Sequence, residues 1–109
     1  MVAVTVFTHA GRAVGFLLKG HAGYGEQGED LACAGISAIT QTALLGITDV
    51  LKIKAKVTLE EGNALCLLSE DTPEGEREKA EVVIRTMEAG LRSLLSGYPK
   101  ALKLSHREV

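Results

Sequence analysis

From Leu31 to Thr48 the chain carries no charged residue, and few folds can accommodate such a run. Within and just beyond it, Ala32, Ile36, Ile39, Ala43, Ile47 and Val50 recur at helical spacing, while Ala34, Ala38 and Leu45 fall on other faces. A helix that is uncharged all round is normally covered on more than one side. A chain of 109 residues, 46% apolar, holds one core and one domain spanning residues 1–109. Its sheet covers one side of the helix, so a second copy is expected on the other, giving a homodimer through this first helix. Gly35, Ser37, Thr40, Gln41, Thr42 and Gly46 make the run too polar for a membrane span, so no membrane contact is expected.

The segments around the helix alternate with period two. Val2, Val4 and Val6 read as a strand, Val14, Phe16 and Leu18 as its return, and His9-Ala10-Gly11-Arg12 as the turn, which leaves His9 solvated. Ile53, Ala55, Val57 and Leu59 begin a second hairpin that turns at Glu61-Gly62-Asn63 and returns through Ala64 to Leu68, with Cys66 as a small buried hydrophobe. Thr72 before Pro73 reads as an N-cap and first position of a second helix. Its stripe is Ala80, Val83, Ile84, Met87, Leu91, Leu94 and Leu95, with Glu78, Glu81, Arg85, Glu88 and Arg92 opposite, and Gly97 and Pro99 end it. Ala101 to Ser105 form a short last strand and His106-Arg107-Glu108 a solvated tail. The expected architecture is α+β, two helices packed on a mainly antiparallel sheet built from two hairpins and that strand.

Twelve Lys and Arg against fourteen Asp and Glu give a net charge of −2, without the basic excess that binding a phosphate backbone requires, so no direct nucleic-acid contact is expected. Two cysteines and no signal-like start fit a reduced, cytoplasmic setting.

Chemistry concentrates between the first hairpin and the first helix. Gly23-Tyr24-Gly25-Glu26-Gln27-Gly28 matches a dinucleotide loop, but a hairpin precedes it, another follows the helix, and Glu26, Glu29 and Asp30 would repel a pyrophosphate. The glycines suit instead a loop that opens and closes over a substrate. With Asp30 as cap and the helix beginning at Leu31, Cys33 falls in the first turn, where the positive end of the helix dipole favours a thiolate. His21, if the loop folds back, can take the thiol proton and return it to a leaving amine, while spare N–H groups at the helix start stabilise an oxyanion. Asp30 is open to two roles, orienting His21 or only capping the helix, and Ser37 lies one turn beyond Cys33. Packing in an apolar helix is the other role open to Cys33. His21, Asp30 and Cys33 lack a recognised ligand spacing, so neither metal nor cofactor is expected.

At these residues the chain resembles the Prp family, the ribosomal-processing cysteine proteases, whose pattern is G-H-A, a short loop, then G-x-D-[IL]-x-C-A-x-x-S. Gly20, His21, Ala22, Gly28, Asp30, Leu31, Cys33, Ala34 and Ser37 meet it, with Ala32 where many relatives have valine. The resemblance implies a cytoplasmic, homodimeric thiol endopeptidase with Cys33 as nucleophile and His21 as general base and acid. It also implies a substrate, the precursor of bacterial large-subunit ribosomal protein twenty-seven, whose N-terminal extension is removed after an apolar, aromatic-containing motif. Asp30 and Ser37 carry over as supporting positions, and Gly20, Ala22, Gly23, Tyr24, Gly25 and Gly28 as the substrate loop. The competing class is a non-catalytic, dimeric peptide-binding protein that assists ribosome assembly.

Overall fold

Period-two alternation produces the expected hairpins, β1 (Val2–His9) with β2 (Arg12–Lys19), and β3 (Ala55–Glu60) with β4 (Asn63–Leu68). The computed structural model describes residues 2–20 and 27–109, and the side chains of all of these except 27–30. Between the hairpins runs α1 (Gln27–Leu45), which continues into a π-helical turn at Gly46–Val50; α2 (Glu74–Gly97) and β5 (Leu102–Glu108) complete the chain. The strands form one sheet in the order β3-β4-β2-β1-β5, antiparallel except where β5 runs parallel to β1. The α+β expectation therefore holds.

Rows of cross-strand neighbours show where the core sits. Val4, Leu18, Ala64 and Leu59 stand in one row, and Val6, Phe16, Cys66 and Val57 in the next. The first three of each row are buried beneath the helices, but Leu59 and Val57 are exposed. The alternation of β3 suggested a half-buried strand; as the sheet's edge, it reaches past the helical cover, and of its apolar set only Ile53, just before the strand, is fully buried.

The helices pack antiparallel to each other. Gly35 faces Leu94, Ile39 faces Gly90, and Gly46 faces Val83; a Cβ at Gly35 would stand 2.9 Å from Leu94 Cδ1, so the glycine admits that side chain. Ala32, Ile36, Thr40, Ala43, Leu44 and Ile47 form the buried face of α1. Thr40 is tolerated there because its hydroxyl donates to the Ile36 carbonyl at 2.9 Å. Val50, expected in the stripe, is exposed, because the π turn rotates it off the buried face. By length and mean hydropathy (1.5 over Leu31–Val50) this stretch does match a membrane span, against the expectation drawn from its polar residues; here 33% of it is buried, with Ala32, Ile36, Ala43, Leu44 and Ile47 in the core.

Three local readings are corrected. Pro73, not Thr72, directly precedes α2, and the Thr72 hydroxyl donates back to the Ser69 carbonyl at 2.6 Å. Arg77 donates to the carbonyls of Thr72 and Glu70 and fastens that turn to the helix. The supposed solvated tail is part of β5, held where the Glu108 carboxylate accepts from the Thr8 hydroxyl and the Ala10 N–H, each at 3.0 Å. Glu88, assigned to the exposed face of α2, is buried. It receives Arg92 at 2.7 Å, His106 at 2.9 Å and Arg85 at 3.2 Å. Burial alone would raise its carboxyl, but the hydrogen bonds from Arg92 and His106 prevail and hold it below the usual carboxylate range.

Candidate active site

The site's scaffold is one end of the sheet. β2 runs out at Lys19, and Gly20, at φ +105°, takes a conformation open to glycine alone at low cost. Its N–H donates to the Gly62 carbonyl at 2.9 Å, so the β3–β4 turn is fastened to the point where the His21 connection leaves. That connection leads directly into α1.

Cys33 is the seventh residue of α1, half-buried beside the fully buried Ala32 and Ile36. Ser37 is half-buried one turn further on, and its carbonyl accepts from the Thr40 hydroxyl at 3.1 Å. Positions four apart share a helix face, so Cys33 and Ser37 occupy one strip between the buried face and solvent. His21, Ala22, Gly23, Tyr24 and Gly25 lie outside the described residues, and with them the His21–Cys33 pairing. Gly28 and Asp30 fall in the opening of α1, with their side chains outside the description.

Two expectations change because α1 begins at Gln27 rather than Leu31. Glu29 and Asp30 are favoured in the first turn of a helix, and once packing seats Ala32 and Ile36, propagating the helix backwards costs little. Asp30 is therefore inside the helix and is not its N-cap. Cys33 lies in the second turn, where its own N–H belongs to the helical ladder; the spare N–H groups lie upstream, and the dipole's effect falls off within the first turn. The helix terminus is thus a weaker activator of this thiol than the sequence suggested.

The other thiol is unsuited to attack. Cys66 is fully buried on β4, and burial pushes its thiol up to about 11, so the reactive thiolate is scarce at neutral pH. Accessibility separates the two cysteines. Among the described residues no three His, Cys, Asp or Glu side chains converge as metal ligands.

One polar group at this end escaped the sequence reading. The Asn63 side-chain oxygen, adjacent to Gly62, is buried with no hydrogen-bond partner among the described residues, an arrangement folded proteins seldom leave unanswered. The only signal was an asparagine after a tight turn, which reads as turn chemistry.

The chain is similar to known proteins. Residues 1–103 match the family model described as cysteine protease Prp. The ribosomal processing cysteine protease Prp of Staphylococcus aureus is 24% identical over 98 residues, covering 89% of this chain and 90% of that protein. Among solved structures, S. aureus Prp in complex with a covalently linked product peptide superposes with a TM-score of 0.80 at 21% identity, covering 98% of this chain and 100% of that one. The same protein with a substrate peptide gives 0.82 at 20% identity, with the same coverage. A Streptococcus mutans protein, SMU.848, gives 0.82 at 20% identity over 100% of this chain and 96% of that one. At such identities the superpositions speak for the fold.

Proposed function

Because this chain belongs to the Prp family of cysteine proteases, we propose that Cys33 is its nucleophile, His21 its general base and acid, and a ribosomal protein precursor its substrate. The observation that carries the assignment is the contrast between thiols: Cys33 is half-buried on the helix that follows the His21 connection, whereas Cys66 is sealed in the core. The relatives named as ribosomal processing proteases support the substrate class. Its specific member is the precursor of large-subunit protein twenty-seven, cut in the cytoplasm by a homodimer that meets through α1.

The reaction divides into two steps. His21 takes the Cys33 proton, and the sulfur attacks the scissile carbonyl; the tetrahedral intermediate collapses as the imidazolium gives its proton to the departing amine, leaving a thioester. Water, deprotonated by His21, then attacks the thioester, releasing the new carboxyl terminus as Cys33 recovers its proton. Asp30 orients His21, and Ser37 supports the Cys33 strip from one turn away. The loop Ala22, Gly23, Tyr24 and Gly25, between Gly20 fastened to Gly62 and Gly28 in the first turn of α1, closes over the peptide.

The test incubates the protein and its Cys33→Ala variant with the precursor and reads N-terminal shortening by mass spectrometry. Shortening by the wild type alone is expected. Absence of shortening by a reduced, dimeric wild type would favour the non-catalytic peptide-binding class instead.

A further inference from the structure

β3 is an edge strand: β4 pairs along one side, and among the described residues no strand pairs along the other. The two-residue turn makes Glu60 and Asn63 a hydrogen-bonded pair, and antiparallel alternation then directs the N–H and C=O groups of Ala55, Val57 and Leu59 outward. Such an open row accepts a further extended backbone. Proteins commonly blunt exposed edges with proline, lysine, a bulge or very short strands. β3 runs six residues without proline and with an unbroken register, and its one lysine, Lys56, alternates onto the face opposite Val57 and Leu59. The strand also leaves Val57 40% and Leu59 54% exposed on the helix-bearing face.

The open row ends at the turn fastened to Gly20, the residue before His21. Leu59 and Glu60 stand at the end of the sheet where Gly62 holds Gly20 and the connection carrying His21 departs. We propose that β3 is the substrate-docking edge: an extended peptide adds beside it as a sixth strand, with alternate apolar side chains covering Val57 and Leu59. The occupant is an extended chain because only an extended backbone matches that row of donors and acceptors. The exposed Glu60 and Glu61 place negative charge at the site end. That suits a peptide whose apolar stretch adjoins basic residues, as expected of a protein that binds RNA phosphates. The inference rests on reading the chain as a peptidase with Cys33 as nucleophile.

The probe is a synthetic peptide carrying an apolar, aromatic-containing motif followed by lysines. It is added to the full-length Cys33→Ala protein while backbone amide exchange is followed residue by residue by NMR. Exchange at Ala55, Val57 and Leu59 should slow by about ten-fold or more, while Lys56, Thr58 and Glu60, already bonded to β4, change little. In the protein that retains Cys33, Val57→Thr with Leu59→Thr should raise KM by about ten-fold and leave kcat in place, the mark of lost ground-state binding. Cleavage of the probe with both readings unchanged overturns the docking edge and leaves the peptidase standing. Failure to cleave the probe at all overturns the peptidase reading, and the edge with it. Protection of the three amides without peptide, growing with protein concentration, would assign the edge to a second copy and overturn the proposal.

Discussion

The two helices lie side by side on the same sheet face, yet they solve the problem of their outer surfaces differently. Apart from the exposed Val82, α2 is finished within the chain, with Ala80, Ile84, Met87 and Leu91 inward and charge along its other faces, much of it paired: Arg85 meets Glu81 and the buried Glu88, and Arg92 meets Glu88. α1 has no such outer face; Leu31 and Leu45 are exposed on it. Where the helices meet, Ala38, Ile39, Thr42, Ala43, Gly46, Val82, Val83, Thr86, Met87 and Gly90 line an apolar groove of about 560 Å³. A helix that needed only to pack could carry lysine and glutamate outward, as α2 does. α1 holds Cys33 at one end and an uncovered apolar surface along its length, the features on which the proposed chemistry and the proposed dimer rest.

The sharpest break in the comparison is chemical. Cys33→Ala should abolish proteolysis by about 10⁴-fold or more, as loss of a covalent nucleophile does, while thermal or urea unfolding shows a stability change within about 1 kcal/mol, because the site is half-buried and alanine fits a helix. A variant that unfolds would instead make Cys33 a packing residue. The inner faces, by contrast, should behave alike: Ile36→Ala on α1 and Ile84→Ala on α2 each remove a fully buried side chain and should each cost about 2–5 kcal/mol in urea unfolding. A much smaller cost at Ile36 would mean that α1 is poorly seated on the sheet. The outer faces should then part company. Leu45→Glu should weaken the proposed dimer by about 2 kcal/mol, or ~30-fold, in sedimentation equilibrium, while Lys79→Glu on the exposed face of α2 leaves it intact; equal effects would dissolve the distinction.

The strength of the periodic signal decided what the sequence made legible. Val2, Val4 and Val6, the stripe of α2, and the charge-free run of α1 repeat a physical constraint several times, so the element types and their order were readable. Boundaries depend on single residues, and there the reading slipped. Asp30 has the chemistry of a cap but sits inside α1, and Thr72 has it too but bonds Ser69 instead. β5 extends through His106 and Glu108 because of partners on α2 and β1 that are remote in sequence. Val57 and Leu59 are exposed although they take the core-side face, since alternation reports which face a side chain takes and not whether anything lies above it. For the site, motif spacing singled out Cys33; what the structure adds is that Cys33 is half-buried and Cys66 buried. Asn63 went unnoticed because burial of its side-chain oxygen without a partner among the described residues is a property of the folded neighbourhood and not of the turn sequence.

The smallest expected effect tests why α2 carries a buried charge at all. Glu88 is held by Arg92, Arg85 and His106, and those hydrogen bonds and charges depress its carboxyl although burial pushes the other way. A carboxyl depressed in the folded state contributes stability that is complete above its unfolded value, near ~4.3, and is lost as pH falls through the lower folded value. Glu88→Gln keeps the shape and removes the charge, so it should cost about 1–2 kcal/mol at neutral pH. That gap should narrow steadily in urea titrations below pH ~4, where the wild-type carboxylate is itself protonated. If the gap stays constant down to pH ~3, the cluster acts through shape and hydrogen bonding alone. The difference between the helices would then rest on apolar surface and not on charge.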